Sequence, residues 1–127
     1  MRRAVLAALL LAAAAQAAPV PADLTAMRHG LAKAVAAHDR HAVAGYIAFP
    51  LALEVYQLPP KLSRAAFLKN DDERAALFDA SLAGCIGSGP LELQKAGTYL
   101  ADCNGNEYVF GKRGGAWRLV AYQNINE

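Results

Sequence analysis

The hydrophobic positions of this chain follow two periods, one typical of helices and one typical of strands. In residues 23–37, four apolar side chains are spaced three or four positions apart: Leu24, Met27, Leu31 and Val35. This spacing predicts a helix with one apolar face, and Asp23 is placed to cap its first turn. Residues 51–58 alternate between two sides, which predicts a strand. Pro50 is expected to end the segment before this strand, and Pro59-Pro60 to end the strand itself.

Capping residues predict further short helices. Asp39 is expected to cap one that ends before Pro50, and Ser63 to cap a second one in which Ala66 and Phe67 pack inward. The acidic run 71–73 suits the positive N-terminal end of another helical stretch. That stretch is expected to end at the glycines that follow it: Gly84, Gly87 and Gly89.

The last third of the chain has the pattern of a sheet. Four strands are predicted, in residues 91–94, 99–102, 107–111 and 116–124. Asn104-Gly105 is a strong signal for a two-residue hairpin, and residues 112–115 indicate a second hairpin. Helices first and hairpin-linked strands afterwards predict an α+β domain, with N-terminal helices packed on a curved, mostly antiparallel sheet.

Residues 1–17 have the pattern of a secretory signal peptide. Arg2 and Arg3 precede an apolar run, and the small-residue triplet Ala15-Gln16-Ala17 follows it. The run is shorter than the roughly 20 residues that span a bilayer, so we expect no stable membrane insertion. Cleavage after Ala17 would leave residues 18–127 as a single domain, with Ala18 as an alternative cleavage position. We therefore expect a periplasmic or secreted protein.

The charge balance argues against two classes of partner. The sequence has 13 basic and 11 acidic residues, and loss of Arg2 and Arg3 with the leader would leave 11 of each. A neutral domain without a basic run gains little free energy from counterion release on nucleic acid. We therefore expect no nucleic-acid partner and no binding to an anionic membrane surface.

Cys85 and Cys103 are the only two cysteines of the chain. In an oxidising compartment a structural disulfide between them is favoured, and it would stabilise the fold by roughly 3 kcal/mol in the chain-entropy model. A redox-active pair is the alternative, but the two positions are far from the C-x-x-C spacing that lowers a thiol pKa.

The chain lacks the common motifs of catalysis and of metal binding. No serine lies in a G-x-S-x-G turn, and the glycines of residues 84–89 lack the Lys-Ser/Thr ending of a phosphate-binding loop. His38 and His41 are three residues apart, but Asp39 as an N-cap leaves His38 outside the helix, and His29 lies beside the apolar stripe. We therefore expect neither a metal nor a cofactor.

Several short phrases carry a resemblance to a known fold family. They are His38-Asp39, residues 46–51 (Tyr-Ile-Ala-Phe-Pro-Leu), residues 64–68 (Arg-Ala-Ala-Phe-Leu) and residues 115–119 (Gly-Ala-Trp-Arg-Leu). With the order of the elements, they resemble the nuclear transport factor 2-like superfamily, a cystatin-like α+β roll that includes SnoaL-like and ketosteroid-isomerase-like domains. The resemblance covers residues 23–126, and the Phe-Pro-Leu phrase looks like that of small exported bacterial members without an assigned role.

The resemblance implies a cone-shaped pocket between sheet and helix that holds a small apolar ligand. If Glu54 faces this cone, an apolar setting would raise its pKa and make it a candidate general base, with Tyr56 or Tyr108 as hydrogen-bond donor. The alternation leaves open whether Glu54 or the apolar side of the strand faces inward, and a solvent-exposed Glu54 is the alternative. The aromatic candidates for lining the pocket are Tyr46, Tyr108, Phe110 and Trp117.

The function expected from these observations is that of an exported binding domain without an evident catalytic constellation. Its partner would be a small apolar ligand or a protein of the cell envelope. The alternative is an isomerase- or hydrolase-like enzyme that acts on a small apolar substrate in the cone pocket. A homodimer formed through the open sheet is compatible with the same residues.

Overall fold

The structure is a computed structural model that describes residues 19–55, 60–69 and 76–124. The helices of these ranges are α1 (Ala22–Ala36), α2 (Arg40–Ala44), α3 (Arg64–Leu68) and α4 (Ala83–Ser88). Short 3₁₀ turns cover Ala76–Phe78, Ala80–Leu82 and Lys95–Gly97. The strands are β1 (Ile47–Glu54), β2 (Lys61–Leu62), β3 (Glu92–Leu93), β4 (Tyr99–Cys103), β5 (Asn106–Arg113) and β6 (Ala116–Asn124).

The six strands form one mixed sheet in the order β2-β1-β6-β5-β4-β3. β1 runs parallel to β6, and the other neighbouring strands are antiparallel. The helices pack against this sheet around a core whose largest fully buried side chains include Tyr108 and Phe110. The predicted α+β class is therefore confirmed, and so is a mostly antiparallel sheet that follows N-terminal helices.

Two tight turns set the register of the last three strands. Asn104 and Gly105 have φ angles of 58° and 88°, and Gly114 and Gly115 have 61° and 81°. Positive φ at both central residues is the geometry of a two-residue type I′ hairpin. The flanking residues pair as this geometry requires, with Cys103 opposite Asn106 and Arg113 opposite Ala116. Both predicted hairpins are confirmed.

A bulge in β6 changes which of its side chains are buried. Val109 pairs with Ala121 and Phe110 pairs with Leu119, so Val120 has no counterpart on β5. The extra residue shifts the alternation by one position. As a result Leu119 and Tyr122, three residues apart, are both buried in the core.

β1 begins earlier than predicted and contains a proline. Its first residue is Ile47, so Pro50 lies inside the strand instead of ending the segment before it. The pairing of β1 with β6 shifts between Ile47 and Ala52. Proline has no N–H to donate, and it is tolerated here because this part of the ladder is already interrupted. The predicted end of the strand, at residues 56–59, lies outside the described residues.

Two of the three predicted N-caps are confirmed. The Asp39 side chain accepts a hydrogen bond from the Ala42 N–H at 3.0 Å, and Ser63 Oγ accepts one from the Ala66 N–H at 3.1 Å. The third prediction is wrong, because α1 starts at Ala22 and Asp23 lies within its first turn. Pro21 takes the N-cap position instead, where its carbonyl accepts from the N–H groups of Leu24 and Thr25 and no N–H of its own is needed.

The glycines of residues 84–87 lie within α4 instead of ending the helical region before it. At Gly87, α4 passes close to α1, and a Cβ on this residue would lie 2.7 Å from the Cβ of Ala32. Glycine is therefore needed here for close helix packing, not for a turn. The acidic run 71–73, predicted to begin a helix, lies outside the described residues.

Arg28 of α1 is buried, with 5% of its surface exposed. Its Nε donates to the Ile86 carbonyl at 2.9 Å, and its Nη2 donates to the carbonyls of Cys85 at 3.1 Å and Gly89 at 2.8 Å. The guanidinium carbon lies 5.7 Å from the centroid of the Phe110 ring. Burial lowers the pKa of Arg28. The carbonyls at the end of a helix carry partial negative charge, so they stabilise the buried cation.

We expect Arg28→Met to lower the free energy of unfolding by about 2–4 kcal/mol, because it removes the Arg28 donors from the carbonyls of Ile86 and Gly89. The Cys85 carbonyl keeps the Gly89 N–H as a donor. Urea unfolding followed by circular dichroism measures this loss. Arg40→Met is a matched control, since Arg40 donates to the carbonyls of Phe67 and Lys69 from a more exposed position. Its expected cost is about 1 kcal/mol. Equal losses in the two variants would contradict the role given to Arg28.

α1 ends at a left-handed residue that is not glycine. His38 has a φ of 55°. The N–H groups of His38 and Asp39 donate to the carbonyls of Val35 and Ala34, each at 3.1 Å. This pair of bonds is a Schellman motif, in which glycine is the usual left-handed residue.

We expect His38→Gly to raise the free energy of unfolding by about 1 kcal/mol, because glycine adopts positive φ without the steric cost of a Cβ. Thermal unfolding at constant pH checks this as a higher Tm. His41→Gly, inside α2, is the control and is expected to lower the free energy of unfolding by about 1 kcal/mol. A His38→Gly protein no more stable than the original chain would refute the prediction.

Candidate functional site

A cleft of about 440 Å³ opens at one end of the sheet. It is bounded by Pro21 before α1, by residues 96–98 of the turn that joins β3 to β4, and by side chains of three strands. The strand residues that line it are Leu93, Tyr99, Lys112, Arg113 and Trp117.

Strand register brings these side chains together. Leu93 pairs with Tyr99 across β3 and β4, and Lys112 pairs with Trp117 across β5 and β6. The turn between β3 and β4 is closed by a hydrogen bond from the Gln94 N–H to the Thr98 carbonyl at 2.7 Å. The cleft is therefore formed mainly by the sheet, and α1 reaches it only at its N-terminal end.

Trp117 is held in place by three neighbours. Its indole N–H donates to Asp23 Oδ1 at 2.9 Å. The Tyr99 ring meets the indole edge-on, with centroids 5.8 Å apart, and Lys112 Nζ lies 5.5 Å from the Trp117 ring centroid. Only 8% of the Trp117 surface is exposed. The cleft thus has a rigid aromatic wall with a cation against it.

An exposed leucine and two cations complete the lining. Leu93 is 62% exposed, the largest value for any bulky hydrophobic residue in the described ranges. Arg113 Nη1 donates to the Lys112 carbonyl at 2.9 Å. Across residues 19–55, 60–69 and 76–124, no carboxylate is within ion-pair distance of Lys112 or Arg113. Lys112 shares the face of the sheet on which Trp117 lies, whereas the Arg113 side chain extends over Gly111 on the other face, at the rim of the cleft. The site therefore offers apolar surface with the charge of Lys112 beside it and that of Arg113 at its rim.

Of the four aromatic residues predicted to line a ligand pocket, Trp117 lines this cleft. Tyr108 and Phe110 are fully buried in the core. Tyr46 is half-buried against α1, where a Cβ on Gly30 would lie 2.3 Å from the Tyr46 hydroxyl oxygen. The structure therefore separates Trp117 from the other three residues.

The structure does not bring the candidate catalytic residues together. Glu54 is exposed, while Leu51 and Leu53 of the same strand are buried. Glu54 pairs with Gln123, whose partner on β5 is the residue that precedes Tyr108. Successive residues of a strand point to opposite faces, so Glu54 and Tyr108 lie on opposite faces of the sheet. The apolar setting that the general-base hypothesis requires is therefore not found around Glu54. Tyr56 lies outside the described residues.

The Tyr108 hydroxyl already has a partner, because it donates to the Leu77 carbonyl. Burial raises the pKa of Tyr108, and the nearby Tyr122 and Asp79 raise it further. The phenol therefore stays protonated in the folded protein at pH values where the unfolded chain, with an ordinary pKa of about 10, ionises. Its contribution to stability is present below about pH 10 and is lost as the pH rises above that value.

We expect Tyr108→Phe to reduce the loss of stability above about pH 10, because it removes a phenol whose pKa is raised by burial. At neutral pH the variant should lose about 1–3 kcal/mol, since the Leu77 carbonyl is left without its donor. Urea unfolding from neutral pH to about pH 11 measures both effects. Ile86→Val is the control, with a loss of about 1 kcal/mol and an unchanged slope against pH. If the free energy of unfolding of Tyr108→Phe falls above about pH 10 as steeply as that of the original chain, the raised pKa of Tyr108 does not cause the loss.

The structure places the two cysteine sulfurs at disulfide-bonding distance, with Cα atoms 5.8 Å apart. Cys85 lies in α4 and Cys103 ends β4, so the pair links the helical layer to the sheet. Neither sulfur belongs to the lining of the cleft.

The three histidines are exposed. No group of three or more histidine, cysteine or acidic residues in the described parts of the chain is arranged to hold a metal ion.

The comparisons with known proteins assign no family. No protein-family model matches the chain, and no curated protein matches it. Among the residues that the structure describes, no helix has the length and the apolar character needed to cross a membrane.

Trp117 is the one lining residue that the sequence predicted as a ligand contact. The other strand residues of the lining were missed: Leu93, Tyr99, Lys112 and Arg113. One of them carried a signal, because a two-residue turn at Gly114-Gly115 places Lys112 opposite Trp117. The pairing of Leu93 with Tyr99 had no comparable signal, since the turn between β3 and β4 is longer and irregular, with positive φ at Ala96.

Proposed function

We propose that this chain is an exported binding domain that holds a small ligand in the cleft beside Trp117. The observation that carries the proposal is the exposed Leu93 next to the fixed Trp117–Tyr99 pair. Small-molecule sites are mostly apolar, with a few polar groups that orient the ligand, and this open cleft combines an apolar wall with two charged side chains. A lone exposed leucine would need no explanation, but one that extends an aromatic wall forms a continuous apolar surface.

Export is part of the same proposal. It is supported by the signal-peptide pattern of residues 1–17 and by the proximity of Cys85 and Cys103, since a disulfide persists in the periplasm or outside the cell. The order of helices and strands supports membership of the nuclear transport factor 2-like superfamily, with its cystatin-like roll. The fold alone does not imply a function, so the proposal depends on the cleft.

The enzyme hypothesis has less support. An isomerase- or hydrolase-like reaction at Glu54 needs a carboxylate shielded from water and a free tyrosine donor beside it. Glu54 is exposed, and the Tyr108 hydroxyl is bound to the Leu77 carbonyl. Binding of an envelope protein, or of a second copy of the chain through the sheet, remains as a different outcome of the experiment below.

Native mass spectrometry of the protein purified from the cell envelope tests the proposal. We expect a bound small molecule that is released on denaturation. We expect Leu93→Ser to retain at least about tenfold less of it, because burial of a leucine side chain contributes about 1.5–3 kcal/mol. Ala52→Ser is the control, since Ala52 is exposed on β1, away from the cleft.

A protein without any bound molecule, or equal retention by Leu93→Ser and Ala52→Ser, would count against a ligand in this cleft. A mass equal to that of two chains, or a co-purified protein, would indicate that the sheet binds a second copy of the chain or another protein. A parallel denatured sample with and without reductant reports the state of Cys85 and Cys103.

A further inference from the structure

We propose that the ligand of the cleft is an anion with an apolar body, such as a carboxylate on an aliphatic or aromatic skeleton. This inference rests on the proposed function, because it names the class of ligand for the same site. It depends on where the charges of the cleft lie and on which of them are already neutralised.

The two cations of the cleft have no opposite charge beside them in the described structure. Lys112 Nζ contacts the face of Trp117, and the Arg113 guanidinium donates to a backbone carbonyl. The carboxylate in contact with a lining side chain is that of Asp23, and its Oδ1 accepts from the N–H groups of Leu24 and Trp117. Asp23 therefore orients the indole. Its two donors are uncharged, so its negative charge remains, and the charges of Lys112 and Arg113 exceed it by one, which leaves a net positive charge for a ligand.

An anionic group offers these cations a better partner than they now have. An exposed contact between an ammonium and an aromatic ring is weak, whereas a hydrogen bond between two charged groups is among the strongest in proteins. A carboxylate would draw Lys112 away from the indole, and the uncovered ring face could then contact the ligand. A cationic ligand would be repelled by the same two side chains.

The apolar part of the ligand would lie along the sheet towards Leu93. β3 and β5 are separated only by β4, and Leu93 is in register with Phe110, two residues before Lys112 on β5. Leu93 and Lys112 are therefore roughly 12 Å apart. Tyr99 lies on the strand between them. A head group at Lys112 and a body of medium length that ends at Leu93 would fill this span.

The preference for an anion would be local. If the leader is removed, the remaining chain carries equal numbers of basic and acidic residues, so its net charge attracts neither sign. A pair of charge-removing substitutions in the cleft can therefore be compared with a pair elsewhere that changes the net charge by the same amount.

Trp117 is the only tryptophan of the chain, so its fluorescence reports directly on the cleft. We would titrate the purified protein with decanoate, decanol and decyltrimethylammonium, which differ mainly in the charge of the head group. Decanoate is expected to bind at least about fivefold more tightly than decanol, and the cation more weakly than either. The advantage of decanoate should shrink as salt is added, because the cations are exposed.

The variant Lys112→Gln/Arg113→Gln should reduce decanoate affinity by about fivefold or more, to that of decanol, and leave decanol affinity unchanged. The matched control is Lys61→Gln/Arg64→Gln, which should change neither affinity. Lys61 in β2 and Arg64 at the start of α3 are both exposed and do not line the cleft. Loss of Lys112 changes the fluorescence of Trp117 even without a ligand. The affinities of this variant are therefore also measured by isothermal titration calorimetry.

The outcomes separate this inference from the function on which it rests. Equal affinities for decanoate and decanol would contradict the preference for an anion, and so would an equal loss of decanoate affinity in the two double variants. Either result would still be compatible with a cleft that binds a ligand. Failure of all three probes would overturn the proposed function as well. Vesicles of phosphatidylglycerol and of phosphatidylcholine identify the source: binding to the former alone, lost in Lys112→Gln/Arg113→Gln, indicates a lipid head group, and decanoate binding without vesicle binding indicates a free molecule.

Discussion

The contacts of Arg28 with the end of α4 connect the main parts of this fold. α4 has six residues, and a helix of that length is not stable by itself in water. It is held by the guanidinium of Arg28 at its final carbonyls, by the close approach of Gly87 to α1, and by Cys85 next to the end of β4. Because Arg28 also packs on Phe110, one buried cation joins α1, α4 and the centre of the sheet.

The cleft follows from the position that these contacts give to α1. The helix begins at Ala22, and Asp23 in its first turn accepts a hydrogen bond from Trp117. α1 therefore covers the sheet up to the indole, and the side chains beyond it line an open cleft. With Tyr99 and Lys112 also against the ring, only 8% of the Trp117 surface is exposed, so the start of α1 helps to determine how much of the indole a ligand can reach.

Local signals in the sequence predicted the parts of the fold that depend on a few neighbouring residues. The hairpins at Asn104-Gly105 and Gly114-Gly115 and the cap at Asp39 belong to this group, because a turn or a cap is decided within about four residues. The interior position of Pro50, the helical position of Gly87 and the burial of Arg28 depend on distant partners, and no local pattern indicates them. The residues of the candidate site also fall into a predictable and an unpredictable group. The aromatic character of Trp117 predicts a ligand contact from the sequence. The positions of Leu93 and Tyr99 in the cleft depend on the register of two strands joined by an irregular turn, which no local pattern indicates.

The two outermost strands of the sheet, β2 and β3, have two residues each. A strand of another protein that tried to extend the sheet would find only a short ladder of backbone groups on either side, which protects the molecule from uncontrolled edge-to-edge association. Recognition by strand addition is correspondingly unfavourable. The chemistry of any partner must then be read by side chains on the surface of the sheet, where a single substitution can change specificity without disturbing the backbone that supports it.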